Sequence, residues 1–289
     1  MSKKIAVIND LSGFGRCSLT AALPVISVMG VQPCPLPTAV LSAQTGYPSF
    51  YCDDYTEKME YFRQEWEKMG VCFDGIYTGF VGSEEQVQQI FHFLQTFYNK
   101  EDTETFLLVD PIMGDEGKRF SFCTDALLND MKQLVARADI VTPNLMELCL
   151  LTDVDYHTVA MEIEERRECT TKVIRMLAEK LLANGCKTVI VTGIRFWDED
   201  EKLIKIGNLT VTKERAVMSA FPYIGGSFSG TGDLFASVVA GGVARGDDIF
   251  QTVELAGIFI WKAMKDSSEA NVQRNEGADF EKYLGMLIK

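Results

Sequence analysis

The sequence predicts an α/β protein with a mostly parallel sheet covered by helices, in a single domain over residues 1–289. Short runs rich in β-branched residues recur without polar alternation, as strands buried on both faces do. Longer segments with apolar residues three and four apart stand between them, and that alternation implies βαβ units with right-handed crossovers. No Pro/Ser-rich linker, low-complexity run or internal repeat breaks the chain.

The first strand is read at residues 5–8, closed by Asn9-Asp10. Its four apolar residues after Met-Ser-Lys-Lys fall short of the ~7–15-residue apolar stretch of a secretory signal, so a cytoplasmic protein is expected. Residues 32–55 hold four of the eight prolines and two strand-like pieces, and are expected to project from the sheet as a small flap. Further strands are read at 75–78, 105–109, 140–142 and 188–192, and helices at 54–69, 84–98, 124–136 and 162–184. Gly70 and Gly185 stand where helices stop. Beyond Thr192 the pattern changes to short antiparallel strands at 194–197, 203–206 and 209–213, turned by Asp198-Glu199-Asp200-Glu201. Helices over 232–244 and 248–265 follow, with a terminal one from about Asp279.

A net charge of −13 argues against nucleic acid or an anionic membrane as partner. No run approaches the roughly 20 apolar residues of a membrane span. An acidic chain that binds a polyanion must supply positive potential locally, through backbone N–H groups and metal ions. The eight cysteines form no C-x-x-C pair and read as buried free thiols in a reducing compartment. Of the two histidines, neither His92 nor His157 has a nucleophile beside it, which argues against a Ser-His-Asp hydrolase. Residues 9–15 are not G-x-G-x-x-G, which argues against a dinucleotide-dependent oxidoreductase.

In a sheet of this kind ligands bind beyond the carboxyl ends of the strands. Asp10, Thr78-Gly79, Asp110-Pro111, Thr142-Pro143-Asn144 and Thr192-Gly193 all follow strands, although helix caps would place the same residue types there. The richest segment is Gly225-Gly-Ser-Phe-Ser-Gly-Thr-Gly-Asp233. Gly230-Thr231-Gly232 would form a turn whose amides leave a helix N-terminus open to an anion. Asp233, in the first turn, is then either a carboxylate that accepts an alcohol's proton during phosphoryl transfer or an ordinary helix-start acid. Asp110 and Asp115 flank a glycine, and Asn144 and Glu147 sit three apart at a helix start. They suit Mg²⁺ held through water, or a capped helix. Lys118 and Arg119 lie in a loop over 114–122 that either closes over phosphates or is a solvated basic loop. Phe221 and Tyr223 either flank an adenine or pack in the core.

In order, Ile8-Asn-Asp-Leu-Ser-Gly-Phe-Gly15, Pro35-Leu-Pro-Thr-Ala39, Thr78-Gly-Phe-Val-Gly-Ser83, Asp110-Pro-Ile-Met-Gly-Asp115, Thr142-Pro-Asn-Leu-Met-Glu147, Val191-Thr-Gly193 and Gly230-Thr-Gly-Asp233 resemble the ribokinase-like superfamily. Within it the chain resembles the pyridoxal/pyridoxamine kinases over essentially its whole length. The resemblance implies a three-layer α/β/α sandwich, a homodimer, and transfer of the ATP γ-phosphoryl group to the hydroxymethyl group of a B6 vitamer. It also implies Mg²⁺ and a monovalent cation such as K⁺. It makes Asp233 the base, with Gly230, Thr231 and Gly232 as anion hole, and Glu147 and Asp110 the metal-organising carboxylates. Asp110, Thr142, Glu147, Thr192, Gly193, Phe221, Gly230 and Gly232 would meet ATP; Asp10, Ser12, Gln44, Thr45, Phe80 and Asp233 would meet the acceptor. Asp10, Ala43-Gln44 and Phe80 depart from the serine, Asn-His and tyrosine of many pyridoxal kinases. Asp10 and Gln44-Thr45 lean toward the hydroxymethylpyrimidine kinases of thiamine synthesis, and a carrier without turnover is the third alternative.

Overall fold

Ile5, Ala6, Val7 and Ile8 are wholly buried, as a continuous apolar run must be in a central parallel strand. They lie in β1 (Lys4–Ser12). The computed structural model describes residues 2–98, 105–165 and 170–289. The chain divides into two units, Met1–Asp110 with Ile224–Lys289, and Pro111–Tyr223.

In the first unit β1 has β2 (Gln32–Leu41) on one side and β4 (Gly75–Thr78) on the other, both parallel. β5 (Phe106–Val109) extends the parallel set beyond β4, and β3 (Cys52–Asp54) closes the opposite edge antiparallel to β2. The crossover β1→β2 through α1 (Ser18–Val28) therefore runs one way across the sheet. The one that leads through α2 (Thr56–Lys68) to β4, and on through α3 (Glu84–Phe97) to β5, runs the other way. Right-handed crossovers in opposite directions put their helices on opposite faces. α1 packs with α8 (Thr231–Arg245), which packs with α9 (Ile249–Glu269), while α2 packs with α3. The result is an α/β/α sandwich with its switch point between β1 and β4, where such sheets bind ligands.

The second unit carries β8 (Ile140–Val141), β9 (Thr188–Asp198), β10 (Leu203–Thr212) and β11 (Ala216–Pro222) in the order β11-β10-β9-β8. Only the β8–β9 pair is parallel among these. Helices α4 (Asp125–Arg137), α5 (Leu145–Leu151), α6 (Tyr156–Glu165) and α7 (Thr170–Ala183) belong to it. So does a small hairpin of β6 (Gly114–Asp115) and β7 (Lys118–Arg119). Glu116 and Gly117, its two turn residues, both have positive φ, as a type I′ hairpin turn requires.

Several expectations change. The proposed flap at 32–55 is mostly sheet: residues 32–41 are β2, and only the stretch between β2 and β3 leaves it. Prolines mark this strand for a physical reason. The Gln32 N–H bonds to Lys3 O on the β1 side, so by the alternation of the ladder Pro33, Pro35 and Pro37 turn their donorless nitrogens toward the edge. α1 was not anticipated from the sequence. The two strands expected at 203–206 and 209–213 are one strand, β10, with a register shift between Gly207 and Leu209. The terminal helix is a 3₁₀ segment, Glu281–Leu287. The helix expected at 162–184 matches α7 from Thr170 on, and residues 166–169 lie outside the described ones. Cys17, Cys123, Cys149 and Cys186 are buried free thiols, but Cys34 is half-buried and Cys52 and Cys72 are exposed; Cys169 lies outside the described residues. Among the described residues no helix is long and apolar enough to cross a membrane.

Candidate active site

The end of β1 shapes the site. An extra residue on β2 stands opposite Asp10, shifting the register between the Asn9–Pro37 and Leu11–Val40 pairs; bulges of this kind re-aim side chains beside sites. Asn9 is 0% exposed. Its Oδ1 accepts the backbone N–H groups of Asp10 (2.9 Å) and Phe80 (2.8 Å), and its Nδ2 donates to Asp233 Oδ1 at 3.0 Å. Gly79 leaves room for that amide, since a Cβ there would stand 2.4 Å from Asn9 Nδ2.

Asp233 lies in the first turn of α8, whose N-cap Gly230 is left-handed at φ 80° and adds no side-chain cap. A Cβ on Gly230 would fall 2.0 Å from Arg16 O, so both conformation and space demand glycine. At Gly232 a Cβ would meet nothing nearer than Asp110 Oδ2 at 3.9 Å. The fold therefore does not need that glycine for packing, and its bare Cα leaves the helix N-terminus approachable. Burial pushes the Asp233 carboxyl up to about 6, and the neighbouring Asp10 charge adds to this; the Ser18 N–H and the Asn9 amide oppose it.

Asp10 is also buried and raised by burial, although two hydroxyls support its charge. Ser12 Oγ donates to Asp10 Oδ2 at 2.9 Å and Ser18 Oγ to Oδ1 at 2.5 Å. Ser18 thus joins the carboxylates, its N–H toward Asp233 and its hydroxyl toward Asp10, and adopts a positive φ of 51° to do so. A non-glycine residue in that region costs of order 1–3 kcal/mol and marks functional sites disproportionately. Burial and the two acids push the Cys17 thiol up to about 12. Tyr77, wholly buried on β4, has its phenol raised by burial and by Asp233, Asp110 and Asp10.

Of the other expected acceptor residues, Phe80 joins this cluster through its N–H to Asn9. Thr45 is exposed and Phe80 half-buried; the Phe80 carbonyl accepts from Thr38 Oγ1 at 3.0 Å. Gln44 is buried and engaged with protein: Nε2 donates to Asn275 O (3.1 Å) and Ser229 Oγ (3.5 Å), and Oε1 accepts from Gly46 N (2.7 Å). A cavity of about 340 Å³ lies between Gly225–Phe228 and Ser268–Arg274, on the loop that runs into the N-terminus of α8.

In the second unit Asn144 and Glu147 form a reciprocal capping box at the start of α5. Glu147 is buried; Oε2 accepts from Asn144 N (2.9 Å) and Oε1 from Met113 N (3.1 Å). Asn144 Nδ2 holds Gly114 O at 2.8 Å, so one cap anchors the β6–β7 hairpin as well as the helix. Thr142 is buried after β8, and Thr192 bridges to Asn144 and donates its N–H to Pro143 O. Gly193, at φ 69°, donates to Asn208 Oδ1 at 3.3 Å. Phe221 is half-buried on β11, and Tyr223 lies 5.7 Å beneath the Arg195 guanidinium, so neither is enclosed in the core. Arg119 is tied to Asp125 at 2.7 Å, and Lys118 is exposed.

Sequence reasoning placed Gly79 at a strand end without its role beside Asn9, and missed Asn9, Ser18, Cys17, Tyr77 and the cavity beside α9. Asn9 sat in plain view as a polar residue ending a buried strand; nothing in the sequence marked Ser18.

The α/β/α unit, its switch-point acids and the open helix start beside them define the ribokinase-like class of fold. The chain belongs to the phosphomethylpyrimidine kinase family, whose model it matches over residues 18–278. A crystal structure from Bacteroides thetaiotaomicron, provisionally named a phosphomethylpyrimidine kinase and crystallised with pyridoxal, is 34% identical with a TM-score of 0.88, over 99% of this chain and 96% of that one. The pyridoxine/pyridoxal/pyridoxamine kinase of Bordetella avium is 25% identical over 255 residues, 87% of this chain and 81% of that protein. A Schizosaccharomyces pombe protein provisionally named a pyridoxal kinase is 29% identical over 171 residues, 59% of this chain and 46% of that protein. The chain thus matches less than half of that relative's length.

Proposed function

We propose that the protein is an ATP-dependent kinase that phosphorylates the 5′-hydroxymethyl group of a B6 vitamer, with Asp233 as general base. The observation that carries this reading is the placement of Asp233: a buried acid with a carboxyl raised to about 6, in the first turn of a helix whose N-terminus has no side-chain cap. A raised carboxyl is matched to taking an alcohol's proton near neutral pH. The N–H groups of Gly230, Thr231 and Gly232 would supply positive potential for the transferred phosphoryl group locally, in a chain of net charge −13. The cavity lined by Gly225–Phe228 lies on the segment that precedes that turn in the chain. In this reading Asp10, Ser12, Thr45 and Phe80 surround the acceptor ring, and Gln44 orders the loop beside it. Thr142, Thr192, Gly193 and Phe221 are assigned to ATP in this reading.

Among the described residues no group of three or more His, Cys, Asp or Glu side chains is arranged to hold a metal. Mg²⁺ keeps several waters and rides largely on phosphate oxygens. In this reading Asp110 and Glu147 are the carboxylates that would steady it. Bound there, the ion would offset charge on the phosphates. The monovalent cation, the homodimer and the cytoplasmic location are further parts of this proposal.

Asp10 favours a second reading. A buried acid at this position pairs with an N–H donor, so an aminopyrimidine bearing a hydroxymethyl group is the competing acceptor. Release of ADP from MgATP tests both when pyridoxal, pyridoxamine, pyridoxine, hydroxymethylpyrimidine, ribose and adenosine are offered in turn. Turnover of the vitamers is expected. Turnover of the pyrimidine alone would transfer the chain to the second reading, and turnover of none would leave a carrier.

A further inference from the structure

We propose that Asn9 aims the base: its amide holds Oδ1 of Asp233 and so sets the direction in which the carboxylate meets the acceptor's hydroxyl proton. The inference rests on the reading of Asp233 as base, and it assigns Asn9 a positioning role rather than contact with substrate.

Three contacts give the amide one orientation. Backbone N–H groups only donate, so the atom that receives those of Asp10 and Phe80 must be Oδ1. Nδ2 is then forced toward Asp233 Oδ1. The residue is 0% exposed, so water offers the amide no alternative partner. β4 meets this requirement with Gly79, where any Cβ would collide with Nδ2. Asn9 also connects the two strands at the switch point, because Phe80 follows β4 and Asp10 belongs to β1. The geometry of the base is thereby set by the sheet itself, not by the loop before α8. A carboxylate with one oxygen held by a neutral donor stays charged more readily and cannot rotate freely, so the proton-accepting oxygen keeps one direction.

The groups facing Asp233 are Asn9 and Asp10 from β1, Cys17 and Ser18 at the start of α1, and Tyr77 from β4, with Asp110 beyond β5. The Cys17 thiol and Tyr77 phenol are both raised, so neither titrates near neutrality. Asp10 and Asp110 are left as the acidic neighbours.

Asn9→Asp separates this role from a structural one. It keeps the size of the side chain and an oxygen for the Asp10 and Phe80 N–H groups, and changes only the contact to Asp233 from donor to acid. Two carboxyls at that distance share one proton. The acid limb of the kcat/KM profile should therefore move up by a unit or more, with turnover at pH 7 down at least tenfold and partly regained toward pH 9. KM for ATP should stay within about twofold. Urea unfolding of the same variant gives a readout free of activity. Relative to the parent chain, stability should fall between pH 5 and pH 8, and adding Asp233→Asn should restore it without restoring turnover. An unmoved acid limb, or a stability loss that Asp233→Asn does not repair, would overturn the positioning role. If Asp233→Asn alone left turnover near that of the parent, the base assignment would fail instead, and the two failures are distinct.

Discussion

Burial and a neighbouring acid raise the Asp233 carboxyl to about 6, and the two consequences oppose each other. For catalysis the charged form is needed, so kcat/KM should fall below pH 6 with a single acid limb; a limb near 4 would mean that Asp233 is not the group that titrates. Asp233→Asn should lower turnover by roughly 10²–10⁴-fold while leaving ATP binding nearly intact, as equilibrium titration with nucleotide would show. For stability the sign reverses. Between the ordinary value of 3.8 and about 6 the folded chain holds a proton that the unfolded chain has released, so stability declines as pH rises through that window and then levels off. The same Asp233→Asn change should therefore stabilise the chain at pH 7–8, by up to roughly 3 kcal/mol, because the buried charge is no longer present. Near pH 3.5 it should have little effect. Denaturant midpoints at both pH values check this, and a variant less stable at pH 8 would show that the charge is better accommodated than its burial implies.

At the scale of elements, the two glycines around Thr231 should separate folding from binding. Gly230→Ala forces a left-handed alanine and drives its Cβ into Arg16 O, 2.0 Å away. It should cost several kcal/mol and shift the fold around residue 16 as well as activity. Gly232→Ala meets only Asp110 Oδ2 at 3.9 Å and gains helix propensity worth roughly 0.5–1 kcal/mol, so thermal stability should hold or rise. Its methyl group would stand where the phosphoryl group is proposed to approach, and KM for ATP should rise about tenfold or more. An unchanged KM would move the anion site elsewhere. That glycine turn was legible because its residue types have few other uses, and β1, β4 and β5 because they are continuous apolar runs. α1 was not legible: Leu19, Ala21, Ala22, Val25 and Ile26 are buried on one face, but the apolar Leu23 and Val28 stand half-buried on the other, and Pro24 stands inside it. A helix apolar on both faces shows a blurred 3.6-residue stripe, and an internal proline argues against a helix. β2 was obscured by prolines that only an open edge tolerates. Asn9 and Ser18 act through distances that span the chain, with Asn9 and Asp233 224 positions apart, and no local pattern records such a pairing.

At the scale of the molecule, the first unit is assembled from both ends of the chain, and its C-terminal segment ties together the loops that border the site. Arg274 O accepts from Ser229 N, and Glu276 O from Arg16 N. Arg16 is ion-paired to Asp279 at 2.6 Å and to Glu281 at 2.7 Å. Asn275 Nδ2 donates to Gly46 O at 2.7 Å, and Asn275 O receives Gln44 Nε2. Gln44 is thus a joint between the 42–51 loop, the C-terminal segment and, through Ser229, the turn before α8. A residue that touched only the acceptor would alter KM for the acceptor alone when replaced. A joint between both halves of the site should act on both. Gln44→Leu keeps the bulk but removes these bonds and strands the Gly46 N–H, which should lower stability by about 1–3 kcal/mol. KM should rise for acceptor and ATP together, while Gln44→Glu, which keeps the acceptor oxygen for Gly46, should show the smaller stability loss. A rise confined to the acceptor, with stability unchanged, would return Gln44 to direct substrate contact.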